Sequence, residues 1–260
     1  MKETLVIGAG WLGRQLIEIL TENGHIVSVS SRSPEKLDTF SRVEEKILVS
    51  IKGGKYLFSK DISHFNQVII CLPPIDNYPD VIQSVLSSIS KDANLIFMSS
   101  IGLYEKIPGN LDEEAQIQEA HILWRAEKLI MQRSSYVILR LGGLIGPGRH
   151  PVTHMLNKID LAGGNQLVNL IHSWDICSLI LLLQEKNIMR VTYNLVFPFH
   201  PSRAEYYSKA AEELYGKKLL FKSEPFENRR VDGSKIVEDL NFCYATQPDN
   251  WQSIKQKEQH

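Results

Sequence analysis

Leu5-Val6-Ile7-Gly8-Ala9-Gly10-Trp11-Leu12-Gly13 is the stretch from which the rest of the chain is read. Leu5, Val6 and Ile7 form a short apolar strand. Three glycines follow in the pattern Gly8-x-Gly10-x-x-Gly13, and Leu12, Leu16, Ile17, Ile19 and Leu20 then recur with helical period until Asn23-Gly24 stops the helix. Residues 26–30 read as a second strand, so the segment predicts a βαβ unit. Each glycine has a task in such a unit: Gly8 makes the tight turn, Gly10 lets a pyrophosphate approach the backbone, and Gly13 lets helix pack on strand. The helix N-terminus offers N–H donors and a partial positive charge to phosphates. Trp11 and Leu12, inside the turn, are counted with the glycines as cofactor-binding. A chance run of glycines is the plain alternative, and the flanking strand and helix argue against it.

The chain has 260 residues, 43% apolar and 23% charged, which is ordinary globular material, enough for one large domain or a domain with a small lobe. A net charge of −1 gives no polyanion-binding surface, so no nucleic-acid partner is expected. Cys71, Cys177 and Cys243 have no metal-type spacing and cannot all pair, and no signal peptide precedes the first strand; a reducing cytoplasm is the expectation. The longest apolar run, residues 177–183, is interrupted by Ser178 and too short for a bilayer.

Strand and helix patterns alternate over the first ~145 residues, which argues for a doubly wound α/β fold with a parallel sheet covered on both faces. After Arg32-Ser33-Pro34, a turn into a short helix, residues 47–51 suggest a third strand, followed by the turn Lys52-Gly53-Gly54-Lys55. Residues 67–72 and 94–99 read as buried strands, with a helix over 78–90 between them. Residues 105–114 read as an acidic loop, 115–133 as a helix, 136–141 as a strand, and 142–148 as a glycine-rich loop. Beyond it the rhythm changes: a short helix over 155–161, a strand over 166–171, a helix over 173–184, a strand over 191–196 and a helix over 203–215. Short elements fill 227–247, and the last ten residues read as frayed. The expected division is a nucleotide-binding domain over 1–196, with 150–166 contributing to a small substrate lobe, and the lobe itself over 197–260.

In dinucleotide folds an acid about 20 residues past the glycines binds the adenosine ribose. Arg32 stands 19 residues past Gly13, among Ser30, Ser31 and Ser33, and no Asp or Glu holds the strand tip. An arginine there suits a 2′-phosphate, with serine hydroxyls in support, which favours NADP over NAD and disfavours FAD. Ser31, Arg32 and Ser33 are therefore cofactor candidates. So are residues at later strand ends: Cys71, Leu72 and Pro73, then Ser99, then Leu141 and Gly142. Cys71 reads otherwise as a small apolar filler.

Six ordered motifs then carry a resemblance. They are Gly8-Ala9-Gly10-Trp11-Leu12-Gly13, Met98-Ser99-Ser100-Ile101-Gly102-Leu103-Tyr104, Leu139-Arg140-Leu141-Gly142-Gly143-Leu144-Ile145-Gly146-Pro147-Gly148, Leu170-Ile171-His172-Ser173-Trp174-Asp175, Tyr193-Asn194-Leu195, and Asp232-Gly233-Ser234-Lys235. In this order they resemble the extended short-chain dehydrogenase/reductases, the NAD-dependent epimerase/dehydratase group, through nearly the whole chain. The resemblance implies a Rossmann domain, a nicotinamide cofactor and Ser100 polarising a substrate oxygen. It also implies a dimer through the helices of 78–90 and 115–133. The Tyr-x-x-x-Lys pair of the family is missing: its places hold Glu119 and Leu123, as in a small atypical branch. A tyrosine needs neighbouring positive charge to act near pH 7, and losing such an acid–base pair costs roughly 10²–10⁴ in rate. Ile101-Gly102 replaces the Asp-Glu of sugar-nucleotide dehydratases, and Val168 replaces an arginine that holds the diphosphate in sugar-nucleotide enzymes. A nucleotide-sugar substrate is not expected.

The catalytic candidates are Ser100, Tyr104 and, if buried, Glu119. The substrate candidates are Arg149, His150, His154 and Arg230, as anion contacts; otherwise they are surface residues. Arg140, His172 and Asp175 read as structural. No metal is expected, since Pro151 spoils a helix carrying His150 and His154 and no third ligand is evident. The expected activity is NADP-dependent hydride transfer on a small hydroxy or carbonyl compound, with Tyr104, Glu119 or water as proton donor. The alternative is a non-catalytic NADP(H) sensor.

Overall fold

Leu5, Val6 and Ile7, read from sequence as a buried strand, have no exposed surface in the computed structural model, which describes residues 3–186, 190–222 and 228–255. In chain order the elements are β1 (Glu3–Ile7), α1 (Trp11–Glu22), β2 (Ile26–Ser31), α2 (Pro34–Asp38), β3 (Lys46–Lys52), β4 (Lys55–Phe58), β5 (Gln67–Ile70), α3 (Tyr78–Ser88), β6 (Asn94–Ser100), β7 (Gly109–Leu111), α4 (Ile122–Ile130), β8 (Tyr136–Leu141), β9 (Gly143–Ile145), β10 (Leu170–His172), α5 (Ser173–Glu185), β11 (Val191–Leu195), α6 (Arg203–Tyr215), β12 (Arg229–Val231), α7 (Ser234–Leu240) and α8 (Trp251–Lys255).

Eight strands form one sheet in the order β11-β8-β6-β5-β1-β2-β3-β4. The pairings β1–β2, β1–β5, β2–β3 and β5–β6 are parallel, and β3–β4 is antiparallel. From β1 the chain builds outward to β2 and β3; from β5 it builds the other way. The order therefore reverses between β1 and β5, the place where doubly wound sheets bind ligands. Every residue of β5 and β8 is buried, as expected of strands covered on both faces.

The chain divides into two compact units, each discontinuous in sequence: Met1–Leu103, Ile117–Arg140 and Ile180–Thr192, and Tyr104–Gln116, Leu141–Leu179 and Tyr193–His260. Along the sequence, stretches of the two units alternate. In the second unit β9 pairs with β10, and β7 with β12, both in parallel. Ile145, Val152, Leu170, Tyr206, Tyr207 and Ala210 form its apolar core.

Several elements differ from expectation, each for a local reason. The turn at Lys52–Lys55 continues into β4, because Gly53 (φ +57°) and Gly54 (φ +74°) give the two consecutive left-handed residues of a two-residue hairpin. The acidic segment 105–114 contains β7, and the glycine-rich segment 142–148 contains β9. The helix expected over 115–133 is only Ile122–Ile130. The Gln118 N–H bonds to the Leu103 carbonyl at 2.9 Å, and His121 caps the helix by accepting from Leu123 N–H at 3.2 Å. No α-helix forms over 155–161; a 3-10 turn at Pro151–His154 precedes it, capped by His150. The strand expected over 166–171 is Leu170–His172. Of the last ten residues, Trp251–Lys255 is helical, with Ser253 and Ile254 buried; 256–260 lie outside the described residues.

Candidate functional site

A cleft of about 220 Å³ opens where the strand order reverses. Its walls come from the chain just after β1 (Gly8, Ala9, Gly10), the end of β2 and start of α2 (Ser30 to Ser33, Lys36), the β3–β4 hairpin (Val49, Tyr56) and the exit of β5 (Cys71, Leu72, Pro73, Ile75). No carboxylate is among these residues.

The three glycines answer to three different constraints. Gly8 has φ +109°, and a Cβ on it would sit 2.9 Å from the Cys71 carbonyl oxygen. A Cβ on Gly13 would collide with the Gly8 carbonyl oxygen. Around Gly10 nothing lies within 4 Å of the Cβ position, so no protein atom accounts for the glycine there. Gly10 is among the residues that line the cleft, where a cradle for a close-lying ligand needs a small residue. Gly10 is also the N-cap of α1. No side chain caps that end and no acid stands in its first turn, which leaves the helix terminus suited to an anion.

Arg32 and Lys36 place two cations on the cleft. Ser31 Oγ accepts from Ser33 N–H at 3.1 Å. The Ser33 hydroxyl is committed elsewhere: it caps α2 by accepting from Lys36 N–H at 3.2 Å and donates to Glu35 at 2.6 Å. Lys36, Val49, Tyr56 and Ile75 are lining residues that the sequence reading did not name, and Ala9 and Ser30 are ones it named only as neighbours of the glycines and of Arg32. Lys36 was findable, one helical turn past Arg32; Tyr56 was not, because β4 went unseen.

Gly8, Gly10, Ser31, Arg32, Ser33, Cys71, Leu72 and Pro73 thus come together on one cleft, whereas Trp11, Leu12, Gly13, Ser99, Leu141 and Gly142 are not on its wall. Trp11, Leu12 and Gly13 form the first turn of α1 beside it. Ser99 faces inward and donates to Glu127 at 2.5 Å. Glu127 and Arg140, 0% and 2% exposed, form a buried ion pair, Nη2 to Oε2 at 2.9 Å and Nε to both oxygens at 3.2–3.3 Å. Ser100 ends β6 half-buried, its Oγ accepting from Gly102 N–H at 3.1 Å. Glu119 does not meet the condition of burial: its side chain is 78% exposed, accepts from the Trp124 indole at 3.1 Å and lies 3.5 Å from Lys128 Nζ.

In the second unit, Tyr104 is fully buried and its hydroxyl donates to Asn194 Oδ1 at 2.7 Å, so its proton is held inside the fold. Gly142 is explained by packing: a Cβ would sit 2.9 Å from the Asn169 carbonyl oxygen. His150 is 3% exposed, with Nδ1 accepting from Val152 N–H at 3.2 Å and Nε2 2.9 Å from the Tyr206 hydroxyl; burial lowers its pKa to about 4. It is a core residue and not an anion contact. Arg149, His154 and Arg230 are exposed. His172 is enclosed as well, 3.1 Å from Ser253 Oγ, its pKa lowered by burial to about 4. Asp175 accepts the amides of Ala245 and Thr246 at 3.0 and 3.2 Å, while burial raises its pKa.

Among the described residues, one group of possible metal ligands gathers, Glu3, Glu45 and His64 within 4.8 Å, and Lys60 already pairs with Glu45 at 2.7 Å. The three cysteines are thiols, and no described helix is long and apolar enough to cross a membrane.

The fold and the cleft define a Rossmann-fold protein with a dinucleotide-type phosphate turn. Residues 4–123 match the family model of the NAD binding domain of 6-phosphogluconate dehydrogenase. Protein YeeZ of Escherichia coli (strain K12) is 28% identical over 265 residues, covering 94% of this chain and 96% of its own length. Among solved structures, a conserved protein of unknown function from Silicibacter pomeroyi DSS superposes with TM-score 0.77 at 18% identity, covering 97% of this chain and 96% of its own. MoeE5 in complex with UDP-glucuronic acid and NAD gives 0.76 at 17% identity, covering 97% of each chain. UDP-glucuronic acid 4-epimerase from Bacillus cereus in complex with NAD gives 0.74 at 18% identity, covering 97% and 95%. The chain therefore shares the Rossmann-like fold of these structures.

Proposed function

We propose that the cleft binds NADP(H) and that the protein carries out hydride transfer on a small hydroxy or carbonyl compound. The observation that carries the cofactor reading is Gly10: a glycine with no packing reason, at an uncapped helix N-terminus, on a cleft lined by two cations and no carboxylate. The glycine turn and α1 would hold the diphosphate. Arg32 would meet the 2′-phosphate, where an NAD-selective site presents an acid to the ribose hydroxyls. When bound, the nicotinamide supplies the hydride acceptor or donor. Ser100, at the end of β6 on the same edge of the sheet as the ends of β1 and β5, holds the substrate oxygen. Tyr104 donates its hydroxyl hydrogen bond to Asn194 and Glu119 faces solvent, so on this reading the proton comes from water.

The same two observations support the second reading, a non-catalytic NADP(H) sensor, because neither side chain is placed as an acid–base group in a pocket. Two measurements separate the claims. Arg32→Glu weakens NADPH binding much more than NADH binding if the cofactor reading is right, and equal losses refute it. Turnover of NADPH against carbonyl and hydroxy-acid compounds supports the enzyme; tight NADPH binding with no turnover and a changed oligomeric state supports the sensor.

A further inference from the structure

Two hydroxyls on the wall of the cleft lack partners. Ser30 is 1% exposed and its Oγ has no hydrogen bond. Tyr56 is 6% exposed, and its hydroxyl makes no hydrogen bond to any described residue. A buried hydroxyl such as that of Ser30 is rarely left this way, since an unsatisfied donor costs about 1–3 kcal/mol, whereas the Tyr56 oxygen keeps some access to solvent. Tyr56 is nonetheless held firmly. It pairs with Ile51 across the hairpin, its N–H donates to Ser84 Oγ at 2.8 Å, and its ring meets Phe58 edge-on at 6.2 Å between centroids. Arg32 acts electrostatically on the Tyr56 phenol, opposing the upward push of burial on its pKa. Arg32 and Lys36 are on the same wall. Two hydroxyl donors, a guanidinium and an ammonium, with no carboxylate among the lining residues, are the chemistry of a phosphate-monoester site.

We propose that Tyr56 is a specificity-determining residue of the cleft: its phenol donates a hydrogen bond to the 2′-phosphate of NADP(H), alongside Arg32 and Lys36. This rests on the NADP reading above. NADH lacks that phosphate and leaves the Tyr56 hydroxyl as it is in the free protein, so the preference arises at this one group. The β3–β4 hairpin thereby has a task beyond extending the sheet.

The test is calorimetric titration of wild type and Tyr56→Phe with NADPH and with NADH, alongside thermal melting. A hydrogen bond to a charged acceptor predicts a roughly tenfold to hundredfold loss for NADPH, with NADH affinity and melting temperature unchanged. Wild type preferring NADPH with Tyr56→Phe unaffected overturns the role of Tyr56 and leaves that of Arg32 standing. Equal losses for both cofactors assign Tyr56 to packing and also overturn it. Wild type showing no preference for NADPH removes the NADP reading, and the inference with it. If Tyr56→Phe does not fold, ³¹P titration of NADP bound to wild type decides: the 2′-phosphate stays dianionic well below its ordinary second pKa of about 6, and titration at that value overturns the site.

Discussion

Substituting alanine separately at Gly10 and Gly13 separates a glycine kept for a ligand from one kept for packing. Gly13 lies in the first turn of α1, where alanine is intrinsically better than glycine by about 1 kcal/mol. Against that stands a collision of its Cβ with the Gly8 carbonyl oxygen, a backbone atom that no rotamer change can move. Shifting the helix from β1 to relieve it costs on the order of 1–3 kcal/mol, the range for overpacking a well-packed site, so sterics outweigh propensity and Gly13→Ala is destabilised. At roughly 2–4 °C per kcal/mol for a chain of this size, its melting temperature falls by several degrees. Gly10→Ala meets nothing within 4 Å, and Gly10 already has φ −81° and ψ −170°, a conformation open to any residue. It loses only the roughly 0.5–1 kcal/mol by which glycine exceeds alanine as an N-cap, a melting shift of about one to four degrees. On the proposed cofactor reading its methyl group would crowd the diphosphate, and losing even one charge-assisted hydrogen bond there would weaken NADPH binding roughly tenfold or more. Differential scanning fluorimetry with and without NADPH reads both effects. Gly10→Ala melting as low as Gly13→Ala, or binding NADPH like wild type, would refute the reasoning.

Removing one partner of the buried pair, as in Glu127→Ala, strands the Arg140 guanidinium inside the fold and costs about 3–5 kcal/mol, read as a drop in urea midpoint. Glu119→Gln, at an exposed side chain, leaves stability within about 0.5 kcal/mol and any NADPH turnover unchanged; a hundredfold loss of turnover would restore Glu119 as a base. Burial of His150 and His172 lowers each pKa from 6.5 to about 4, so the unfolded chain binds more protons than the native one between those values. Stability is therefore intact above pH 6.5 and falls as the pH drops toward 4, by about 3 kcal/mol for each histidine at the limit. Urea unfolding across that window in wild type and His150→Gln measures it, and a variant with the same slope as wild type contradicts the assignment.

How far the sequence could be read follows from the range of each interaction. Leu5 to Gly13 fixed a strand, a turn and a helix because strand burial, glycine freedom and helix periodicity are local properties, and the glycine spacing carries the phosphate turn with them. Arg32 was legible for the same reason, since its distance from Gly13 places it at the next strand's tip. The β3–β4 hairpin was half legible: Gly53-Gly54 announces a turn, but a four-residue edge strand has too little pattern to announce itself. Tyr56 became a candidate only when pairing of β3 with β2 and β4 carried it to the cleft beside Ser30.

The sequence alone determined the Rossmann βαβ start and the alternation of strands and helices behind it. Tertiary structure decided which polar residues are free to act. Tyr104 and His150 look reactive as letters, yet Asn194, Tyr206 and the Val152 amide take up their polar atoms and burial removes them from solvent. Glu119 stands on the surface because the pairing of Gln118 with Leu103 delays the helix until His121. Whether a side chain is spent on the fold or left for a ligand depends on partners far away in the chain, and no local pattern records them.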